Sequence, residues 1–258
     1  MTVDRWTHAV RQQVGLGRIV PLGGPRDGAW IAERAAAELL RRAVERDAPG
    51  VRLDGLRIGL AAPEDAGEPV VPAPPSALPP GPLRLAVEFA ATAARPLPVT
   101  ASRLRAALAG AATERIGLAV TEVDLRVTEL LDTDPPAHAA APAPEPAKAS
   151  EPAKASEPAE PAEPAEPAKS AGPDSEAGRI AAAALAVPGV SRLTGTPGRP
   201  VQLSEHHSGA ALPRRHARVD LAVRVDHRPL EVARAVREAV SAALPDRPTV
   251  TVLVTALD

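Results

Sequence analysis

Apolar positions along this chain follow two rhythms that alternate in a fixed order. From Asp27 the run GAWIAERAAAELLRRAVERD sets Ile31, Ala35, Leu39 and Ala43 near helical spacing, in an Ala-rich composition that favours helix. Asp27 is the expected N-cap, and Pro49-Gly50 the stop. Val51, Leu53, Leu56, Ile58 and Leu60 then alternate with polar residues, except at Asp54-Gly55, where the phase shifts as a turn or bulge would shift it. Leu83, Leu85, Val87 and Phe89 alternate with Arg84, Ala86 and Glu88, the signature of a strand with one buried face. Thr100 is expected to cap a helix through Ala112, with Leu104, Ala107, Leu108 and Ala111 on one side. Val123, Leu125 and Val127, interleaved with Asp124 and Arg126, complete the order helix, strand, strand, helix, strand.

The same order returns after residue 175. Ser175 or Asp174 caps a helix through Ala186, Pro188-Gly189 stops it, and Val190 and Leu193 open a short strand. Val219, Leu221, Val223 and Val225 form a central strand. Pro229 starts a helix with Val232, Val236, Val240 and Ala243 on one face, and Val250, Val252 and Val254 close the sheet. The closing segments VDLRVTEL from Val123 and VTVLVTAL from Val250 share their apolar spacing without a gap. A Pro-Gly-Val joint ends the first helix of each block: Pro stops the helix, Gly turns with positive φ and Val begins the sheet. Two copies of one small domain, at 27–131 and 175–258, are the expectation, each an α/β (α+β) unit with a three-stranded sheet and two helices.

What lies between these elements is different in kind. APEDAGEPVVPAPPSALPPG, after the first strand, is too rich in proline for a regular element and is expected to be an exposed excursion. The polar stretch TGTPGRPVQLSEHHSGAALPRR occupies the same slot in the second block and is expected to be a loop. Residues 132–174 are built from Pro, Ala, Glu and Lys, with too little apolar surface to fold. From Glu145 to Lys169 the charges fall every third residue, which polyproline II would align along one ridge. Extended at about 3.1 Å per residue, a linker of about 40 residues spans roughly 120 Å. Residues 1–26 carry Val3, Trp6, Val10 and Val14 at helical spacing, a short amphipathic segment, followed by GLGRIVPLGG, which is expected to be a flexible join.

Composition narrows the chemistry. Hydrophobic residues make up 45% of the 258 positions but aromatics only 1%, namely Trp6, Trp30 and Phe89, so both cores must be packed from small aliphatics that bury little area each. There is no cysteine, which excludes disulfides and thiolate metal sites. A formal charge of −2 gives no global attraction to nucleic acid or anionic lipid. No apolar run approaches the roughly 20 residues of a spanning helix, and no signal-peptide hydrophobic region opens the chain, so a soluble cytoplasmic protein is the expectation. GLGRIVPLGG has Val20 where a dinucleotide fingerprint ends in Gly, and a P-loop lysine is missing, since Lys148, Lys154 and Lys169 all lie in the linker. Glu205, His206, His207 and His216 include zinc-ligand types, but the adjacent histidines would point apart on extended backbone, so a solvated loop is expected and no metal or cofactor. No catalytic constellation is visible. Arg214, Arg215, Arg218, Arg234 and Arg237 remain as an interaction candidate, with Trp6 beside them as a membrane- or sheet-docking residue. Gathered on one side, the arginines would make a nucleic-acid-binding module of phosphate-only character, for the second block has no aromatic residue to stack on bases.

RIAAAALAVPGVSRL, ARVDLAVRVDHRPLEVARAVREAV and TVTVLVTALD together resemble the alkaline shock protein family, also called the Gls-type general stress family. Family members show an Ile-Ala-rich helix ending in a Gly-Val joint, a central alternating strand, a helix with a Val-Ala-x-x-Val-Gln-x-x-Val pattern and a closing Val-x-Val strand. The resemblance covers roughly Gly178 to Leu257 and reaches Ala29–Leu130 through the internal repeat. Arg237 stands at the usual Gln, and His227-Arg228 at a usual Tyr-Gly. The resemblance implies a non-enzymatic cytoplasmic protein tied to stress, prone to self-assemble as a homo-oligomer, and recruited peripherally to the membrane by a protein partner.

Overall fold

The computed structural model describes residues 16–133, 175–195, 199–206 and 214–258. The amphipathic segment around Trp6, the polyproline ridge of the linker, and His207 lie outside the described residues. Among the described residues the fold is mixed α/β, with four α-helices and two sheets.

In the first half, α1 (Glu33–Asp47) leads into β3 (Val51–Leu60), which pairs antiparallel with β4 (Leu83–Thr92). The register slips between Leu53 and Gly55, the bulge foreseen at Asp54-Gly55. Helix α2 (Leu97–Gly110) runs on as a π-helical turn (Ala111–Ile116) and returns the chain as β5 (Val120–Leu131), parallel to β4. Helix α2 starts at Leu97 rather than after Thr100. Pro98 sits in its first turn, where a missing N–H costs nothing, and Thr100 is buried inside the helix.

In the second half, Ser175 caps α3 (Glu176–Leu185) by accepting a hydrogen bond from the Gly178 amide at 3.0 Å. Central strand β8 (Arg214–Val223), helix α4 (Pro229–Ala243) and parallel β9 (Thr249–Leu257) follow. Two short strands, β6 (Val190–Leu193) and β7 (Val201–His206), pair antiparallel with β8 end to end along one edge. The polar stretch expected to be a loop thus contains a strand. Val201 and Leu203 alternate with Gln202 and Ser204, and their backbone completes the ladder that β6 begins.

The two Pro-Gly-Val corners have matching geometry. Gly50 and Gly189 hold φ of 84° and 94°, and their carbonyls accept from Thr92 N and Arg224 N, at 3.0 and 2.8 Å. Both parallel ladders carry a register shift at the same place, after Phe89 in one and after Leu221 in the other.

The segment before Glu33 departs most from expectation. Ile19–Pro21 is a strand, β1, and Ala29–Ala32 is a strand, β2, so neither a flexible join nor an Asp27-capped helix exists there. Asp27 instead closes the hairpin turn, its carboxylate accepting from Gly24 N at 2.7 Å. Ala-rich sequence can be helical, but Trp30 and Ile31 each have only 1% or less of their surface exposed, and a strand offers both faces for burial. Strand β2 pairs parallel with β9, matching Ala29, Trp30 and Ile31 to Val252, Leu253 and Val254. The second sheet is therefore six-stranded, not three-stranded, and β1 and β2 straddle the boundary expected at residue 26/27 to join a sheet otherwise made by residues 190–257.

Packing follows the same route. Buried apolar side chains from Leu16 to Leu257 form one continuous cluster. Leu230 at the start of α4 sits against Gly23 and Gly117, and a Cβ on Gly117, whose φ is 98°, would stand 2.5 Å from it. The proline-rich segment 61–82 is not a free excursion. Val71 and Ala77 pack with Ile19, Trp30 and Leu253 on the second sheet's outer face, and the carbonyls of Pro72 and Leu78 accept from Thr251 Oγ1 at 2.8 Å and Trp30 Nε1 at 3.2 Å. Proline cannot donate to a ladder, but its carbonyl and ring can cover one.

Because the cores are joined, chemical denaturation of the full chain in a Trp6→Phe background should give one transition, with Trp30 fluorescence and far-ultraviolet circular dichroism coincident. Gly117→Ala should lower stability by about 1–3 kcal/mol, through backbone strain and collision with Leu230.

Candidate interaction surface

The five candidate arginines do not converge. Arg214 is exposed near the edge of β8. Arg215, two-thirds withdrawn from solvent, forms ion pairs with Glu176 and with Asp246, the latter at 3.0 Å. Arg218 points to the outer face of the second sheet and is buried. Arg234 and Arg237 on α4 grip the hairpin turn between β1 and β2. Arg234 Nε donates to Asp27 Oδ1 at 2.9 Å, and Arg237 donates to the carbonyls of Val250, Arg26 and Asp27. Burial draws the Arg237 guanidinium below its ordinary pKa. Burial also works on Asp27, but Arg234 and the Gly24 amide outweigh it and hold its carboxyl below the usual value. Arg215, Arg218, Arg234 and Arg237 are thus each held by a carboxylate or carbonyl of the fold, while Arg214 stays exposed.

His216 is buried with Nδ1 2.9 Å from Thr249 Oγ1, while Glu205 lies on β7. Among the described residues no group of three or more His, Cys, Asp or Glu could hold a metal ion. No helix is long and apolar enough to cross a membrane, again among the described residues.

One buried charge pair escaped the sequence reading. Arg218 and Asp220, two apart on β8, share a face and meet through two hydrogen bonds of 2.9 and 3.1 Å. Thr194 and Pro200 lie beside Asp220: Thr194 N donates to the Asp220 carbonyl, Asp220 N to the Pro200 carbonyl, and Thr194 Oγ1 meets Thr255 Oγ1 at 2.7 Å. Burial pushes the Asp220 carboxyl up to about 6, against the pull of Arg218.

The first sheet presents the opposite picture. Helices α1 and α2 cover one face, while the other carries Arg57, Arg84, Glu88, Glu122, Asp124 and Arg126 in solvent. Small residues Gly55 and Ala86 floor a shallow groove there of ≈ 470 Å³. Cross-strand pairs bridge it, Arg84 to Asp124 at 3.7 Å and Arg126 to Glu88 at 3.4 Å. Strands β3 and β5 are the two outer strands of this sheet, and on β5 Val127 and Leu130 are 41% and 57% exposed. The β5 residues Leu125 and Val127 occupy the ladder positions that Val252 and Val254 hold on β9, where β2 is docked. The alternation of Asp124 and Arg126 with Leu125 was legible in sequence, but which edge stays open was not.

No protein-family model matches this chain, and neither does any curated protein or solved structure.

Removing one member of the buried pair, as in Asp220→Ala, should cost about 3–5 kcal/mol in urea denaturation, whereas Arg218→Met with Asp220→Leu should be near neutral. The folded pKa lies above the ordinary 3.8, so folded protein binds a proton that unfolded chain releases. That contribution is full below the ordinary value and lost as pH rises through about 6, so stability should fall over this window more steeply in the wild type than in the double variant.

Proposed function

We propose that this protein is a non-enzymatic, stress-associated scaffold of alkaline shock type, built from a duplicated α/β module and acting through self-association. The matched corners, the common bulge and the shared order of an antiparallel edge, a central strand and a parallel closing strand support the duplication. The observation that carries the functional reading is the asymmetry between the copies. Strand β9 has its outer edge covered by β2, while among the described residues no strand pairs with the equivalent edge of β5, where Val127 and Leu130 are exposed. An uncovered edge is a template for another strand.

On this reading the protein is cytoplasmic and reaches a membrane only through a protein partner. The purified chain is built to meet protein edges, not lipid. Arg215, Arg218, Arg234 and Arg237 are engaged within the fold, which favours this reading over a nucleic-acid-binding one.

Light scattering behind size-exclusion chromatography, over a concentration series, should show mass rising above that of one chain. The same sample should stay in the supernatant when anionic phospholipid vesicles are sedimented. A monomer at every concentration would refute the scaffold, and vesicle binding by the pure chain would refute recruitment through a partner.

A further inference from the structure

The geometry points to one occupant of the open edge: β5 of a second copy, paired antiparallel about a two-fold axis through Leu125. This rests on the self-association proposed above and names its surface and register. A closed pair of identical chains needs self-complementary contact, and an edge strand meets its own copy across a two-fold only when antiparallel.

Charge and side-chain direction then select the register. A two-fold axis perpendicular to the sheet keeps the helices of both copies on one side. It therefore sets outward residues opposite outward ones and inward opposite inward. Centring the axis on Asp124 opposes that carboxylate to itself, and centring on Arg126 opposes two guanidiniums. Centring on Val123 sets Glu122 against Asp124. With the axis at Leu125, Asp124 faces Arg126 of the second copy twice, so opposite charges meet and no like charges do. The existing pairs of Arg84 with Asp124 and of Glu88 with Arg126 then extend into one alternating row across both sheets. On the helix-bearing side Val123 meets Val127, and Leu125 meets itself. That covers side chains which the chain leaves half-buried or exposed.

The test uses the full chain. Asp124→Arg leaves two arginines, and Arg126→Asp two aspartates, at the positions that face each other. Each variant alone should sediment as a monomer at concentrations where the wild type dimerises, and an equimolar mixture of the two should dimerise again, because Arg then faces Asp at both contacts. Recovery on mixing also shows that neither variant is misfolded. The chain has no cysteine, so Leu125→Cys should form a disulfide-linked dimer on mild oxidation and Val123→Cys should not. Dimerisation untouched by either charge variant, or a mixture that stays monomeric, would overturn this register while leaving self-association through another surface standing. A wild type that never associates would overturn both.

Discussion

Strand β2 makes this chain one folding unit. Four residues, Ala29–Ala32, lie between β1 and β9 with both faces buried, and the rest of the structure is arranged around keeping them there. The hairpin turn that delivers β2 is held by Arg234 and Arg237 from α4. The proline-rich segment closes over its outer face through Val71 and Ala77. Helix α1 begins at the next residue, where Glu33, only 4% exposed, accepts from Ile58 N at 2.8 Å and from Arg18 N at 3.3 Å. Cores built almost entirely from Ala, Val and Leu bury little area per residue, and joining two of them supplies contact that neither has alone.

The two sheets differ in how their outer faces and parallel edges are treated. In the second, segment 61–82 packs on the outer face, and the parallel edge is taken by β2. Even a charged pair, Arg218 with Asp220, is driven inside. In the first, among the described residues, the face away from the helices is exposed and carries charges of alternating sign, and β5 has no strand on its outer side. Among the described residues the second sheet is thus closed on its outer face and parallel edge, and the first is not.

Much of this was legible in sequence because period-2 alternation in β4, β5 and β9 and the Pro-Gly-Val corners are local signals. Strand β2 was not, since AWIA is apolar at every position and continues into an Ala-rich helix, so no period separates the two. The preceding GGPRDG was the available clue, a hairpin turn whose glycines were read as the end of a flexible join and whose Asp27 was read as a helix cap. Strand β7 was hidden because only Val201 and Leu203 mark it among glycines, prolines and polar residues. The arginines were legible as residues but not as partners: which carbonyl or carboxylate each one meets depends on strand order and on which face is covered. An open edge is likewise a property of the whole sheet and is written in no single segment.

Native-state hydrogen exchange at the amides of Trp30 and Ile31, compared with those of Val219 and Leu221 in the middle of β8, tests the central claim most directly. If β2 belongs to the second sheet as an integral strand, all four should exchange only through global unfolding, with equal free energies and equal dependence on denaturant. Exchange of β2 through a smaller opening that leaves β8 protected would show that the first half only rests against the second, and would contradict the account.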